Sequence, residues 1–278
     1  MNFDLEKTVR QRKSVRAYEN RPLAQSDKDM VNASILELLA ENTPFPADIS
    51  IRLLEATPGT ETEKLGTYGV IRGAKDFLCL TVKNEEAAME AVGYRFEKLV
   101  LAATAMGLGT CWLAGTFNRA QFSNALYLED DEIFPIVCPI GYPKEKTTLV
   151  NSVFRKFSDS DHRKEWSELF FEGSFGNPLT KERAGEYAFP LEMLRLAPSA
   201  ANRQPWRIVF KEGIFHFYRE ENPKSKYTYD LQRLDVGIGA CHFHLAAEDR
   251  SLAGRFERLT ETGVSAPENM KYLFSWVI

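Results

Sequence analysis

Three short stretches carry the residue types and spacings that could do chemistry. The first is Arg10-Gln11-Arg12-Lys13-Ser14-Val15-Arg16-Ala17-Tyr18. On an extended backbone, residues two apart share a face, so Arg12, Ser14 and Arg16 would point one way with Lys13 peripheral. Two guanidinium forks flanking a hydroxyl suit a terminal phosphate, because arginine gives bidentate, charge-assisted hydrogen bonds to its oxygens. Taken alone, the run reads first as solvated basic surface, which is what short basic runs usually are. The second stretch is Pro198-Ser199-Ala200-Ala201-Asn202-Arg203-Gln204-Pro205-Trp206. Pro, Ser and Asn explain a turn without any ligand, yet Ser199, Asn202 and Gln204 crowd neutral donors and acceptors beside a tryptophan, which fits the polar edge of a planar heterocycle. The third is Gly107-Leu108-Gly109-Thr110-Cys111-Trp112-Leu113-Ala114-Gly115. Its first glycines are a helix C-cap, and at Gly115 the backbone could lie flat against a ring; a capped helix followed by a turn explains the stretch as well.

The elements that must position these stretches occur twice. Val92-Gly93 through Leu108 aligns with Val236-Gly237 through Leu252 at a constant offset, with identities at Val92/Val236, Gly93/Gly237, Leu101/Leu245, Ala102/Ala246, Ala103/Ala247 and Leu108/Leu252. Both stretches space apolar and small residues by three and four, the pattern of a helix buried against another helix. Upstream, Asn42-Thr43-Pro44-Phe45 leads into strand-like Ile49–Leu54, as Arg203-Gln204-Pro205-Trp206 leads into Arg207–Phe210. Downstream, Phe134–Ile140 has its counterpart in Tyr272–Ile278. Each half reads helix, Pro-aromatic turn, strand, strand, buried helix, strand, a repeated α+β pattern. The expected fold is two fused similar halves, residues 1–165 and 166–278, with antiparallel or mixed sheets and buried central helices. Packed as one globule, such a chain carries in cis what a two-fold homodimer carries on two subunits.

Composition narrows the classes. Of 278 residues, 44% are hydrophobic and 27% charged, which excludes disorder as the main theme. A net charge of −4 points away from nucleic acid, whose binders carry a basic excess. No apolar run reaches the ~20 residues of a membrane span, and the start MNFDLEKTVRQRK lacks the apolar core of a signal peptide. Cys79, Cys111, Cys138 and Cys241 have no CxxC spacing and read as buried, reduced thiols of a cytoplasmic protein.

Together these stretches resemble the FMN-dependent nitroreductase family, in particular its internally duplicated, single-chain branch. The resemblance rests on Arg12-Lys13-Ser14-Val15-Arg16-Ala17-Tyr18, on the Pro198–Trp206 turn and on the Gly107-Leu108-Gly109 helix end. Ile140-Gly141-Tyr142-Pro143 and Arg163-Lys164 also fit, and the likeness runs over nearly the whole chain. It implies an FMN phosphate held by Arg12, Ser14 and Arg16, with Lys13 at the margin and Arg163 as a second phosphate cation. It also implies a ring edge meeting the turn at Pro198, Ser199, Asn202 and Gln204, and the backbone of Leu113-Ala114-Gly115 near the flavin N5. The flavin would carry the redox chemistry, with no protein acid, base or nucleophile. NADH or NADPH would reduce it and leave before a nitroaromatic, quinone or similar small electrophile enters.

One departure is informative. The first half keeps the basic segment while its turn is reduced to Glu41-Asn42-Thr43-Pro44-Phe45; the second keeps the turn, and its matching region, set at Glu172–Pro178, holds no Lys or Arg. The losses are complementary, leaving one complete site drawn from both halves and a chain expected to be monomeric. The alternative is a non-catalytic protein, flavin-binding or flavin-free, that keeps the fold as a binding or regulatory module.

Other features carry less. Gly237-Ile238-Gly239-Ala240-Cys241-His242 lacks the third glycine of a dinucleotide fingerprint and is expected to open a helix. His242 and His244, two apart on a helix, diverge and cannot clamp one metal. Glu129–Glu132 reads as a solvated loop, Cys111 as packing, and 59–73 as a substrate-facing element in which Tyr68 could cover the ring. Replacing Arg12 or Arg16 by Ala is expected to weaken FMN binding several-fold or more; unchanged affinity in both variants, by flavin fluorescence titration, would remove the phosphate assignment.

Overall fold

The computed structural model describes residues 3–56, 65–129, 131–144, 162–221 and 229–278. The chain divides into two units, one formed by Met1–Asn42, Pro46–Ala88 and Arg95–Phe157, the other by Thr43–Phe45, Met89–Tyr94 and Ser158–Ile278.

In the first unit, α1 (Leu5–Gln11) and α2 (Gln25–Ala40) precede β1 (Ile49–Glu55) and β2 (Asp76–Lys83). Helix α3 (Ala88–Ala105), whose residues 89–94 belong to the second unit, is followed by β3 (Gly109–Thr110), α4 (Arg119–Leu126) and β4 (Glu132–Gly141). The sheet order is β1-β2-β4-β3, with every pair antiparallel. Strand β2 runs Phe-Leu-Cys-Leu-Thr-Val without alternation and is buried along both faces, as a central strand should be.

In the second unit, β5 (Phe170–Glu172) lies between the short helices α5 (Trp166–Leu169) and α6 (Lys181–Ala184). Helix α7 (Ala188–Leu196) then leads through a turn to β6 (Trp206–Lys211) and β7 (Ile214–Glu220). Helix α8 (Leu231–Asp249) is followed by β8 (Arg255–Glu257) and β9 (Met270–Val277). The order β5-β6-β7-β9-β8 is antiparallel except for β5, which runs parallel to β6. The α+β pattern is therefore present, and β6-β7-β9-β8 has the order and directions of β1-β2-β4-β3. Each central pair also carries one register shift, at Leu80/Val82 and at Phe217/Tyr218.

The two long helices end alike. After α3, Met106, Gly107 and Leu108 donate their N–H groups to the carbonyls of Ala102, Thr104 and Ala103. After α8, Arg250, Ser251 and Leu252 donate to Ala246, Glu248 and Ala247, the positions related by the Gly93/Gly237 offset. Gly107 (φ +80°) and Ser251 (φ +54°) both take the left-handed conformation that closes this cap. The glycine cap expected at Gly107 is present.

The helices meet at the paired glycines. A Cβ on Gly93 would fall 2.1 Å from the Leu234 carbonyl oxygen, and one on Gly237 would fall 2.3 Å from that of Glu90. Glu90 and Leu234 stand at the same offset as the glycines, so the contact is reciprocal, like an isologous interface. Beside it the Arg233 guanidinium donates to the Glu90 carboxylate at 2.7 Å.

Two sequence expectations need correction. Gly237 and Gly239 do not open a helix: α8 starts at Leu231, where the Asp230 side chain caps the Arg233 N–H, and the glycines lie mid-helix because packing demands small residues there. Nor is Glu172–Pro178 the positional match of the basic segment. That segment pairs with β3 through Ser14 and Thr110, whereas β5 flanks β6, the topological counterpart of β1. Among the described residues nothing pairs with the outer edge of β8, so a counterpart to the basic segment is still lacking.

Because the atoms facing Gly93 and Gly237 are backbone, alanine there cannot be relieved by a rotamer change. Overpacking should outweigh the ~1 kcal/mol that alanine gains over glycine in a helix. Gly93→Ala or Gly237→Ala is expected to lose about 2 kcal/mol and to lower Tm by about 5 °C in a thermal melt. A variant as stable as the parent would contradict the crossing.

Candidate functional site

The basic segment leaves α1 at Arg12, whose backbone is extended (φ −57°, ψ 124°). The Val15 N–H donates to the Thr110 carbonyl at 2.8 Å, laying residues 14 and 15 along β3. Gly109 permits that approach, since a Cβ there would sit 2.9 Å from the Val15 side chain. Val15 and Ala17 turn into the core while Ser14 is exposed and Arg16 half-buried, so the expected alternation holds over 14–17; ahead of it Lys13 is exposed and the Arg12 side chain is 7% exposed. The Tyr18 hydroxyl donates to the Val15 carbonyl at 2.7 Å and locks the segment down; burial pushes that hydroxyl's pKa well up.

Leu113-Ala114-Gly115 stands in the same unit. Leu113 exchanges backbone hydrogen bonds with Val137 at 2.9 and 3.1 Å, the Ala114 carbonyl accepts from Arg119 at 3.1 Å, and Gly115 is exposed. Among the described residues no hydrogen bond takes up the Gly115 N–H. Val15, Tyr18, Cys111, Leu113 and Phe117 belong to one buried cluster that also holds Val70 and Ile71. The described part of the expected substrate-facing element, 65–73, is tied to both stretches: Tyr18 N–H to the Arg72 carbonyl at 2.8 Å, Asn118 N–H to that of Gly66 at 2.8 Å. Tyr68 is exposed there, and residues 59–64 lie outside the described chain. Cys111 is buried and its thiol pKa is raised by that burial, the state of a packing cysteine and not of a nucleophile.

Sequence reasoning missed Glu97. Its carboxylate, wholly buried, accepts the Trp112 indole N–H at 2.9 Å and lies 3.9 Å from Arg12 Nε. That nitrogen is buried and makes no hydrogen bond among the described residues. Glu97 thus holds a cation of the basic segment and the Trp112 ring from one point on α3. The available signal was a lone carboxylate between Phe96 and the apolar run after Lys98.

The second unit gathers the remaining candidates. After α7, Pro198 and an extended Ser199 lead into a turn where Ala201, Asn202 and Gln204 all have φ near +50°. Three left-handed non-glycine residues in four positions store strain, which surrounding bonds must hold. The Gln204 N–H donates to Ser199 Oγ at 2.8 Å, and the Ala200 N–H donates to both Asp235 oxygens at 3.0 and 3.1 Å. The side chains expected at a ring edge are largely engaged by the chain itself. Asn202 Nδ2 donates to the His162 carbonyl at 2.7 Å, and Gln204 Oε1 accepts the Lys164 N–H at 2.9 Å. Arg163 donates to Asn202 Oδ1 at 3.0 Å and to the Leu196 carbonyl at 3.2 Å, so it braces the turn. Ser199 accepts one bond and keeps a hydroxyl proton to donate. Asp235 is the second residue that sequence reasoning missed.

His242 and His244 diverge as expected: His242 Nδ1 faces the Met193 carbonyl at 3.1 Å and His244 Nδ1 the Tyr94 hydroxyl at 2.6 Å. Among the described residues no cluster of His, Cys, Asp and Glu could hold a metal, and no helix is long and apolar enough to cross a membrane.

Over residues 4–247 the chain matches the profile of the family described as "Putative TM nitroreductase". A crystal structure described in similar terms, from Thermotoga maritima, superposes over 100% of this chain and 94% of its own, with TM-score 0.63 and 19% identity. A nitroreductase family protein from Clostridium novyi covers 64% of this chain and 97% of its own (TM-score 0.42, 17% identity). An FMN-dependent nitroreductase from Clostridium difficile covers 51% and 88% (TM-score 0.40, 16% identity). No curated protein matches the chain.

Truncating Glu97 strands a buried cation and an indole N–H together. Glu97→Ala is expected to cost about 3 kcal/mol, measured as a shift of the urea midpoint at constant slope. Glu97→Gln, which keeps an acceptor for Trp112, should cost less.

Proposed function

The chain belongs to this TM nitroreductase family, and from that premise we propose that it is an FMN-dependent NAD(P)H oxidoreductase acting on a small electrophile such as a nitroaromatic or a quinone. Family membership supports the oxidoreductase class. The observation that carries the finer reading is the convergence, within one unit, of the Arg12–Arg16 segment and the exposed Gly115 backbone on a single buried cluster. A dianion binder and an open, side-chain-free amide so placed are the two contacts a flavin mononucleotide asks of such a surface.

The donor set fits the cofactor. Arg12 and Arg16 supply charge and forked donors, and Ser14 an exposed hydroxyl on the same face. Lys13, exposed, adds long-range attraction. Gly115 leaves its N–H to the ring, and Ser199, with Pro198, Asn202 and Gln204 shaping its turn, is proposed to meet the ring edge. Asn202 and Gln204 then act mainly by holding the turn, and Arg163 braces it. When bound, FMN would supply the two-electron chemistry of a ping-pong hydride transfer from NAD(P)H to the electrophile. The protein's part is to bind, orient and exclude water.

Internal duplication accounts for the shared strand order, the recurring helix caps and the reciprocal glycine contact. With one basic segment and one intact turn in the chain, we infer one flavin per chain and a monomeric protein.

The test is optical. A yellow chain whose flavin band bleaches on anaerobic addition of NADH or NADPH is expected. Bound flavin that stays oxidised with both would exclude the reductase half-reaction, and a colourless chain indifferent to FMN would favour the non-catalytic alternative.

A further inference from the structure

Asp235 takes no part in the reading above, yet the strained turn is built against it. It lies inside α8, is 3% exposed, and spends both oxygens on one backbone N–H, that of Ala200. Among the described residues no cation stands within salt-bridge distance of it. A buried carboxylate with a single donor is costly to the fold, since desolvation exceeds what one hydrogen bond returns. Burial, helped by repulsion from Asp230 at the head of the same helix, raises its pKa to about 8 against the pull of the Ala200 N–H and of Arg203 on the turn. The neighbouring Arg233 is occupied by Glu90.

What Asp235 holds explains why it is there. Ala200 precedes the left-handed run Ala201, Asn202 and Gln204, and Ser199 precedes Ala200. Fixing the Ala200 N–H orients the peptide that joins the Ser199 hydroxyl to the strained residues. We propose that Asp235 is a positioning residue for the flavin: by gripping the Ala200 N–H it holds the 199–204 turn in its strained form and aims the Ser199 hydroxyl, more firmly as a carboxylate than as the neutral acid. The proposal rests on the reading that this turn meets FMN.

The sign of the pH effect follows. Because the folded pKa lies above that of the unfolded chain, charging Asp235 costs stability as pH rises toward 8, while the charged form makes the stronger hydrogen bond. Global stability and grip on the turn therefore move in opposite directions with pH, which a merely structural residue would not produce.

The test uses the full chain without cofactor, then with FMN. In Asp235→Ala, amide exchange over residues 199–204 is expected to quicken about tenfold, the loss of one hydrogen bond of ordinary worth. Asp235→Asn, isosteric and still an acceptor, should exchange like the parent near about pH 6 and faster than it near about pH 9, where the parent carries the carboxylate. FMN should bind the parent more tightly as pH rises through 8 and bind Asp235→Asn with a flat profile. Unchanged exchange in Asp235→Ala, or a parental pH profile in Asp235→Asn, overturns the proposal. Faster exchange in Asp235→Ala beside a parent that takes up no FMN removes the flavin reading, and with it the positioning role, while leaving Asp235 as the residue that holds the turn.

Discussion

The second unit is arranged about the crossing of the first turns of α3 with α8, at Gly93 and Gly237. Backbone meets backbone there, and neither glycine can carry a Cβ without driving it into a carbonyl oxygen. That constraint sets which faces of the helices are small, and both helices are buried along most of their length. The crossing is also reciprocal, Gly93 against Leu234 and Gly237 against Glu90, the relation that two copies of one surface make with each other. The fixed offset between partners and the three matching capping bonds are what the proposed duplication would leave.

Symmetry of the scaffold contrasts with asymmetry of the chemistry. The basic segment lies along β3 in the first unit, and among the described residues of the second unit nothing pairs with the outer edge of β8. Conversely, the strained turn of the second unit has the reduced Glu41-Asn42-Thr43-Pro44-Phe45 as its sequence match. There Phe45 packs among Tyr94, Phe256 and Phe274, with ring centroids 4.7 to 5.7 Å away. The aromatic is common to both halves, since Trp206 at the matching position is buried as well; the polar residues ahead of it are what differ. Each retained feature is backed by a buried carboxylate, Glu97 behind Arg12 and Asp235 behind Ala200. Such groups burden the fold and are best understood through what they orient.

How much of this was legible in the sequence depended on the range of the interaction. Local signals served well: the Gly107 cap, the alternation of residues 14–17 and the order of strands and helices all rest on neighbours along the chain. The glycine pair was visible as a repeat, yet its meaning as a backbone crossing was not, because spacing says nothing about approach. A G-x-G pattern suggested a helix opening at Gly237, but the start was set by the Asp230 cap upstream. Asn202 and Gln204 read as ring donors because their partners, His162 and Lys164, lie 40 residues away in sequence. Glu97 and Asp235 were silent for the same reason: a single acid in a helix looks like solvated surface until its burial is known.

The central claim is that a duplicated scaffold keeps one flavin site, and binding stoichiometry tests it most directly. Calorimetric titration of the cofactor-free chain with FMN, at known protein concentration and with the oligomeric state measured in the same sample, yields the number of sites per chain. The account predicts one FMN per monomeric chain. Two per chain would mean that both halves retained a site and that the complementary losses have been misread; a chain that binds none would contradict the flavin reading altogether.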